Sequence, residues 1–315
     1  MRNVLALWPI IVTAGVLLAV LGCERPPGVD QSAATGPLKG NGPAVRVVSL
    51  SPAASVIVRD LGLASSVVGR HGYEMVLDET LPVCGDQAGI DLEAVLAASP
   101  DVVITQWGAR ELPPRFVQLA GKHGWRLHDA NLMTLDDIRR EVPALAGLVR
   151  DAGGPDAGPR SEELTAEMAR AWSKRGEGFA KAGRVLLLAD VSPPAALGPG
   201  SFHHQILEVL GGVPAVLTGN AYQQLTVEDV LAINPDGVVL IMPRSPRTEG
   251  TDRTVAEAMA MLGRLGALDI GAVKSRRVTV IDDPLAHTPS TAMIGLADEL
   301  AERLGEWTRA TRGLN

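Results

Sequence analysis

Asp91-Leu92-Glu93-Ala94-Val95-Leu96-Ala97-Ala98-Ser99-Pro100-Asp101-Val102-Val103 returns later in the chain as Thr226-Val227-Glu228-Asp229-Val230-Leu231-Ala232-Ile233-Asn234-Pro235-Asp236-Gly237-Val238. Glu93 and Glu228, Pro100 and Pro235, and Val103 and Val238 keep one constant offset, so the register holds without a gap. Each copy opens on a helix-capping residue, Asp91 or Thr226, and carries a Glu in the first helical turn. An apolar stripe follows, and a Pro-Asp pair then stops the helix before an apolar strand. A helix-to-strand unit used twice implies two equivalent lobes.

The texture on either side of each copy agrees. Arg46-Val47-Val48-Ser49-Leu50, Val67-Val68-Gly69, Asp101 to Thr105 and Arg126-Leu127-His128 read as strands of the first half, with helices over Ala53 to Leu61, Leu92 to Ala98 and Leu135 to Arg150. In the second half the strands are Arg184 to Ala189, Gly237 to Ile241 and Val278 to Ile281. The helices there are Ile206 to Leu210, Thr254 to Leu265 and Ser290 to Thr308. Continuous apolar runs alternating with helices predict α/β architecture: two Rossmann-like lobes, each a parallel sheet with helices on both faces. Between them Gly153-Gly154-Pro155 breaks the chain. Pro159 to Lys181, rich in Ala, Glu, Lys and Arg with Leu164, Met168, Ala171 and Trp172 at helical spacing, predicts one long amphipathic helix joining the lobes.

Residues 1–22 have an early cation, Arg2, and an apolar run from Val4, as a signal segment does. Val20-Leu21-Gly22-Cys23 resembles the lipobox of bacterial lipoproteins, with Cys23 as the lipidated residue; an uncleaved membrane anchor is the alternative, against which Pro9 argues. Residues 23–44, rich in Pro, Gly, Ser, Ala and Thr, read as a flexible tether. The expected division is then an N-terminal lobe over 45–155, a linker helix over 156–182 and a C-terminal lobe over 183–315. With Cys23 lipidated, Cys84 is left alone, so no intrachain disulfide is expected, and Leu81 to Asp86 reads as a turn holding a small buried thiol.

A net charge of −7 with no run of Lys and Arg disfavours a phosphate-backbone partner, so no nucleic acid is expected. The chain has no Gly-x-Ser-x-Gly elbow, no Gly-Lys-Ser/Thr phosphate loop, no His-Glu-x-x-His and no dinucleotide fingerprint, and it is not expected to be an enzyme.

Val47 to Pro52, Gly85-Asp86 before Leu92-Glu93, and Pro100 to Ile104 resemble the first lobe of the solute-binding proteins of cobalamin, haem and iron-siderophore ABC importers. Gly198-Pro199-Gly200-Ser201-Phe202, Leu207 to Gly212 and Glu228 to Asp236 resemble the second lobe. The resemblance covers nearly all of the chain after the tether. It implies an extracytoplasmic lipoprotein, periplasmic or at the cell surface, that binds an iron chelate, haem or cobalamin between its lobes and delivers it to a permease dimer. It implies no cofactor of the protein's own. It also implies a role for Glu93 and Glu228 in docking onto permease arginines, where the plain alternative is two helix-start acids stabilised by the macrodipole.

In such a fold the ligand meets loops at the carboxyl ends of strands. That selects Ser51, Pro52, His71, Tyr73 and Trp107 from the first lobe, and Ser201, Phe202, His203, Tyr222, Arg244 and His287 from the second. With aromatics at 3% of the chain, four in these loops suit a large planar chelate, and Arg suits an anionic one. His71 and Tyr73 are of types that ligate haem iron, and are alternatively ordinary polar loop residues. A bare divalent-metal site would draw on His203, His204, Asp282, Asp283 and His287, although the first lobe has no evident second ligand for it. A ligand-sensing adaptor lipoprotein with the same fold is the other alternative; the segment His287-Thr288-Pro289-Ser290 departs from the family in lacking an Arg before the last helix.

Overall fold

The computed structural model describes residues 44–312 apart from 87, 109, 176–178 and 251–252. The signal segment, Cys23 and almost all of the tether lie outside the described residues. In the first lobe the order is β1 (Val47–Ser49), α1 (Pro52–Asp60), β2 (Val67–His71), β3 (Val83–Asp86), β4 (Gly89–Ile90), α2 (Leu92–Ala98), β5 (Val102–Thr105), α3 (Pro114–His123), β6 (Arg126–Asp129) and α4 (Leu135–Asp151). Then α5 (Gly158–Ala171) leads to the second lobe. That lobe consists of β7 (Arg184–Val191), β8 (Pro194–Leu197), α6 (Phe202–Val209), β9 (Val213–Pro214), β10 (Tyr222–Gln224), α7 (Val227–Ile233), β11 (Gly237–Ile241), α8 (Val255–Met261), α9 (Gly271–Lys274), β12 (Val278–Ile281) and α10 (Met293–Arg312).

The two sheets are separate, with strand orders β4-β3-β2-β1-β5-β6 and β10-β8-β7-β11-β12, and β9 beside β7. Their centres are parallel, as expected: β1 pairs with β2 and β5, and β7 with β9 and β11. The edges are not. β4 runs antiparallel to β3, and β8 antiparallel to both β7 and β10, so the sheets are mixed. Two of the reversals, β3 to β4 and β7 to β8, come from two-residue connections, which can join only antiparallel neighbours. One lies between Val191 and Pro194, where Asp190 Oδ1 accepts the N–H groups of Val191 and Ser192.

The duplicated stretch is structurally equivalent in its two copies. α2 ends on Ser99 at φ 44° and ψ 60°, and α7 on Asn234 at φ 44° and ψ 66°, each left-handed residue standing before the Pro that stops the helix. The Asp after each Pro does the same work. Asp101 Oδ2 accepts the N–H of Arg46 at 2.8 Å, and Asp236 Oδ2 accepts that of Arg184 at 2.8 Å. Each arginine then reaches back to the end of its helix, Arg46 to the carbonyl of Ala98 and Arg184 to that of Asn234, both at 2.8 Å. The repeat therefore extends to the strand each copy packs beside, with Arg46-Val47 matching Arg184-Val185.

The connection between lobes differs from the single rod expected. α5 ends at Ala171, where Trp172 leaves helical geometry, and a short 3₁₀ turn over Phe179–Ala182 precedes β7. Gly176 and Gly178 in the sequence lower helix propensity there. The link is shared instead by α4 and α5. Ser161, Leu164, Met168 and Ala171 form the buried stripe of α5. The last three join Ile138 and Val142 of α4 to Leu300 and Leu304 of α10 in one apolar core that runs through both lobes. Hydrogen bonds pin the same side: Trp172 Nε1 donates to the Met293 carbonyl at 3.2 Å, Arg160 Nε to the Asp60 carbonyl at 3.1 Å, and Thr291 Oγ1 to Asp60 Oδ2 at 2.5 Å. A continuous core of this kind ties the two lobes together through the packing of α4, α5 and α10.

Candidate functional site

Where β1, β2, β3 and β5 end, their loops enclose a cavity of about 230 Å³ in the first lobe. Ser51, Pro52, His71 and Trp107 line it, four of the five residues selected there from sequence. Ser51 caps α1 by accepting the Ala54 N–H at 3.0 Å, and its own hydroxyl donates to Gln106 Oε1 at 2.8 Å, tying the helix start to the loop after β5. That loop is held by Asp129 at the end of β6, whose Oδ1 accepts the Trp107 N–H at 2.6 Å and the Thr105 hydroxyl at 2.7 Å. The Arg110 guanidinium lies 4.6 Å from the centre of the Trp107 ring, a cation–π contact.

His71 is buried. Its Nδ1 accepts the Tyr73 N–H at 3.0 Å, while Nε2 has no partner among the described residues. Burial holds the imidazole below its ordinary pKa, offset in part by the Asp86 and Glu74 carboxylates. Gly85, on the wall, is required by close approach, since a Cβ there would stand 2.9 Å from the Gly89 carbonyl oxygen. Behind the wall, Cys84 is buried and free, and burial pushes its thiol up to about 11, as befits a structural cysteine.

Tyr73 lies elsewhere. It is 62% exposed and lines a cavity of about 380 Å³ between the lobes, with Met75, Glu79, Pro246 and Arg247. Arg247 of the second lobe meets Glu79 of the first through both carboxylate oxygens at 3.1 and 3.2 Å. Arg70 spends its guanidinium on the carbonyls of His71, Glu79 and Leu81, which fixes the loop that carries Glu79.

None of the six second-lobe residues selected from sequence lines either cavity. Ser201 caps α6 by accepting the His204 N–H, and its hydroxyl closes on the Gly198 carbonyl at 2.8 Å. Phe202 packs on His203 with ring centres 4.2 Å apart. His203 Nε2 lies 2.8 Å from the Ala286 carbonyl and 3.1 Å from His287 Nδ1, and His287 Nε2 lies 3.0 Å from the Ile241 carbonyl. Burial pushes His203 down to about 3, helped by His287, and lowers His287 as well. Both rings are thus neutral stitches between α6, β11 and the loop before α10. Tyr222 stands on the edge strand β10, 57% exposed. Arg244, expected at the ligand, is turned to the Thr248 carbonyl and to Asp282. Among the described residues no group of three or more His, Cys, Asp and Glu is placed to hold a bare metal ion, so the set expected from His203, His204, Asp282, Asp283 and His287 does not assemble.

Gln106, which the loop after β5 also points to in the sequence, lines the cavity beside Trp107; Asp86 and Arg110 line it too, and Asp129 holds that loop, but selection from sequence passes over these three. Gly85-Asp86 is visible there only as a motif. Arg110 and Asp129 had no signal, because their parts depend on how two loops meet.

No protein-family model matches the chain. A curated relative, the uncharacterized ABC transporter substrate-binding lipoprotein YvrC of Bacillus subtilis (strain 168), is 25% identical over 271 residues, 82% of this chain and 79% of the relative. The crystal structure of the periplasmic vitamin B12 binding protein BtuF of Vibrio cholerae superposes with a TM-score of 0.64 at 19% identity, over 84% of this chain and 98% of that one. That of the periplasmic haem binding protein HutB of Vibrio cholerae gives 0.62 at 16% identity, over 82% and 98%. The chain is thus similar in sequence to a substrate-binding lipoprotein of an ABC transporter and shares the two-lobed fold of these periplasmic binding proteins.

Proposed function

We propose that this protein is the extracytoplasmic, lipid-anchored receptor of an ABC importer, and that the cavity of the first lobe is where it takes up a metal chelate: an iron siderophore, haem or cobalamin. The observation that carries this is the cavity itself. It sits at the carboxyl ends of the parallel strands, has an aromatic wall in Trp107, and is lined by the polar residues Ser51, His71, Asp86, Gln106 and Arg110. The sequence around Cys23 and the lipoprotein relative support the anchor.

The test is a thermal-shift screen of the chain from Glu24 onward against cobalamin, haemin, ferric hydroxamates and divalent metals. A ligand that binds the native state alone stabilises it by about 2.7 kcal/mol at a hundredfold excess over its Kd. A rise in Tm with one chelate is expected; no rise with any chelate refutes the proposal.

Delivery is assigned to Glu93 and Glu228. Both are exposed, both stand in the first turn of equivalent helices, and neither has an ion pair among the described residues. Carboxylates so presented suit bidentate contact with arginines of a two-fold permease. The double Glu93→Ala, Glu228→Ala variant is expected to keep its ligand-induced Tm shift and lose uptake in cells; normal uptake would end the assignment.

A further inference from the structure

The ring nitrogens of His71 are not equivalent. Nδ1 accepts the Tyr73 N–H at 3.0 Å, which requires a lone pair on Nδ1 and therefore puts the hydrogen of the neutral ring on Nε2. Ligation of a metal through Nε2 requires the opposite tautomer, with a hydrogen on Nδ1 driven against the Tyr73 N–H. Ligation through Nδ1 requires displacing that N–H. Turning the ring over would set a carbon against the same N–H and leave a partly buried donor unmade. His71 lines the cavity, and Nε2 is its free nitrogen.

The neighbouring groups have the same polarity. Ser51 already donates to Gln106 Oε1, so the Gln106 amide offers its N–H groups. Arg110, stacked on Trp107, has no carboxylate partner among the described residues. The one acid of the wall, Asp86, is exposed and accepts the Ala88 N–H through Oδ1 at 2.7 Å.

We infer that His71 meets the cargo as a hydrogen-bond donor through Nε2–H, and that the cargo is a chelate whose metal is already saturated by its own ligands and presents oxygen acceptors to His71, Gln106 and Arg110. This rests on the proposal that the cavity is the cargo site. It separates the chelate classes: a ferric hydroxamate or cyanocobalamin arrives with its metal coordination filled, whereas haemin arrives with an axial position that this histidine does not supply.

The experiment titrates the full-length chain and its His71→Leu and His71→Gln variants with a ferric trihydroxamate, cyanocobalamin and haemin, following tryptophan fluorescence and the haemin absorption spectrum, with melting curves to confirm folding. A saturated chelate is expected to bind the wild type, to weaken about tenfold with His71→Leu through loss of one buried hydrogen bond, and to return to within about threefold with His71→Gln, whose amide keeps a donor near the Nε2 position. An imidazole-ligated haemin spectrum in the wild type that His71→Gln abolishes would overturn the inference. So would equal affinity of all three proteins for the saturated chelate. Failure of the folded wild type to bind any of the three probes defeats the cargo-site proposal itself, and the inference with it.

Discussion

Ser51 and Ser201 cap helices with the same geometry, each accepting the N–H three residues on, at 3.0 and 3.1 Å. Their hydroxyl hydrogens go to different places. Ser51 donates across to Gln106 in the cavity wall, while Ser201 donates back to Gly198 in its own turn. The histidines divide in the same way, since His71 keeps a free Nε2 on the cavity and His203 gives Nε2 to the Ala286 carbonyl. The arginines repeat it: Arg110 rests on an indole face, and Arg244 is bound to Asp282. One duplicated frame thus carries a lobe in which these groups face a cavity and a lobe in which their counterparts bond within their own lobe, with His203 Nδ1 and Asp282 Oδ2 there left buried without a hydrogen-bond partner.

The largest expected effect that sharpens this contrast is on stability against pH. His203 has its folded pKa, about 3, well below the ordinary 6.5, with burial as the main cause. A depressed histidine means that the unfolded chain binds more protons than the folded one between those two values. Stability is therefore full above the unfolded pKa and falls as pH drops below it. For this one group the loss by pH 5 is about 2 kcal/mol, which lowers Tm on the order of 5 °C for a domain of this size. His287 and His71, both lowered by burial, add to the loss in the same direction. His203→Gln keeps an N–H for the Ala286 carbonyl and removes the titration, so its Tm is expected to fall less between pH 7 and pH 5 than that of the wild type. An unchanged slope would mean that the second lobe's buried histidine is not what acid attacks.

The frame was legible in the sequence because it is local and used twice. Cap, apolar stripe, Pro-Asp stop and strand lie within thirteen consecutive residues of each copy, and each signal has a short-range physical cause. Less legible were β8 and β10, because an antiparallel edge strand such as Tyr222–Gln224 is too short to show a period. α3 has no reading from sequence, although Pro is well tolerated in a first helical turn, where Pro114 stands. At the site, position along the chain located the loops that follow strands, and so found Ser51, His71 and Trp107. It could not tell which polar groups had already been used. Arg244 and His203 look as available as Arg110 and His71 until the carbonyls and carboxylates that occupy them are seen, and those partners come from loops 38 to 83 residues away.

A smaller effect tests the contrast at the ligand. Trp107 and Tyr222 are both aromatic, and both were selected as contacts from sequence, yet Trp107 lines the first-lobe cavity under Arg110 and Tyr222 stands on an outer edge strand. Trp107→Ala removes a flat apolar wall and the seat of the Arg110 guanidinium together. Aromatic stacking and a cation–π contact are each worth on the order of 1 kcal/mol beyond burial, so affinity for the chelate identified by thermal shift is expected to fall about tenfold. Neither contact bridges the sheet, so Tm without ligand should move little. Tyr222→Ala, which leaves Arg110, Asp129 and the cavity wall in place, should change affinity by less than about twofold, because an exposed side chain outside the site contributes little. Titration of both variants with the same chelate decides the matter. If Tyr222→Ala weakens binding as much as Trp107→Ala, the second lobe's edge closes onto the cargo and the division of labour between the lobes is wrong.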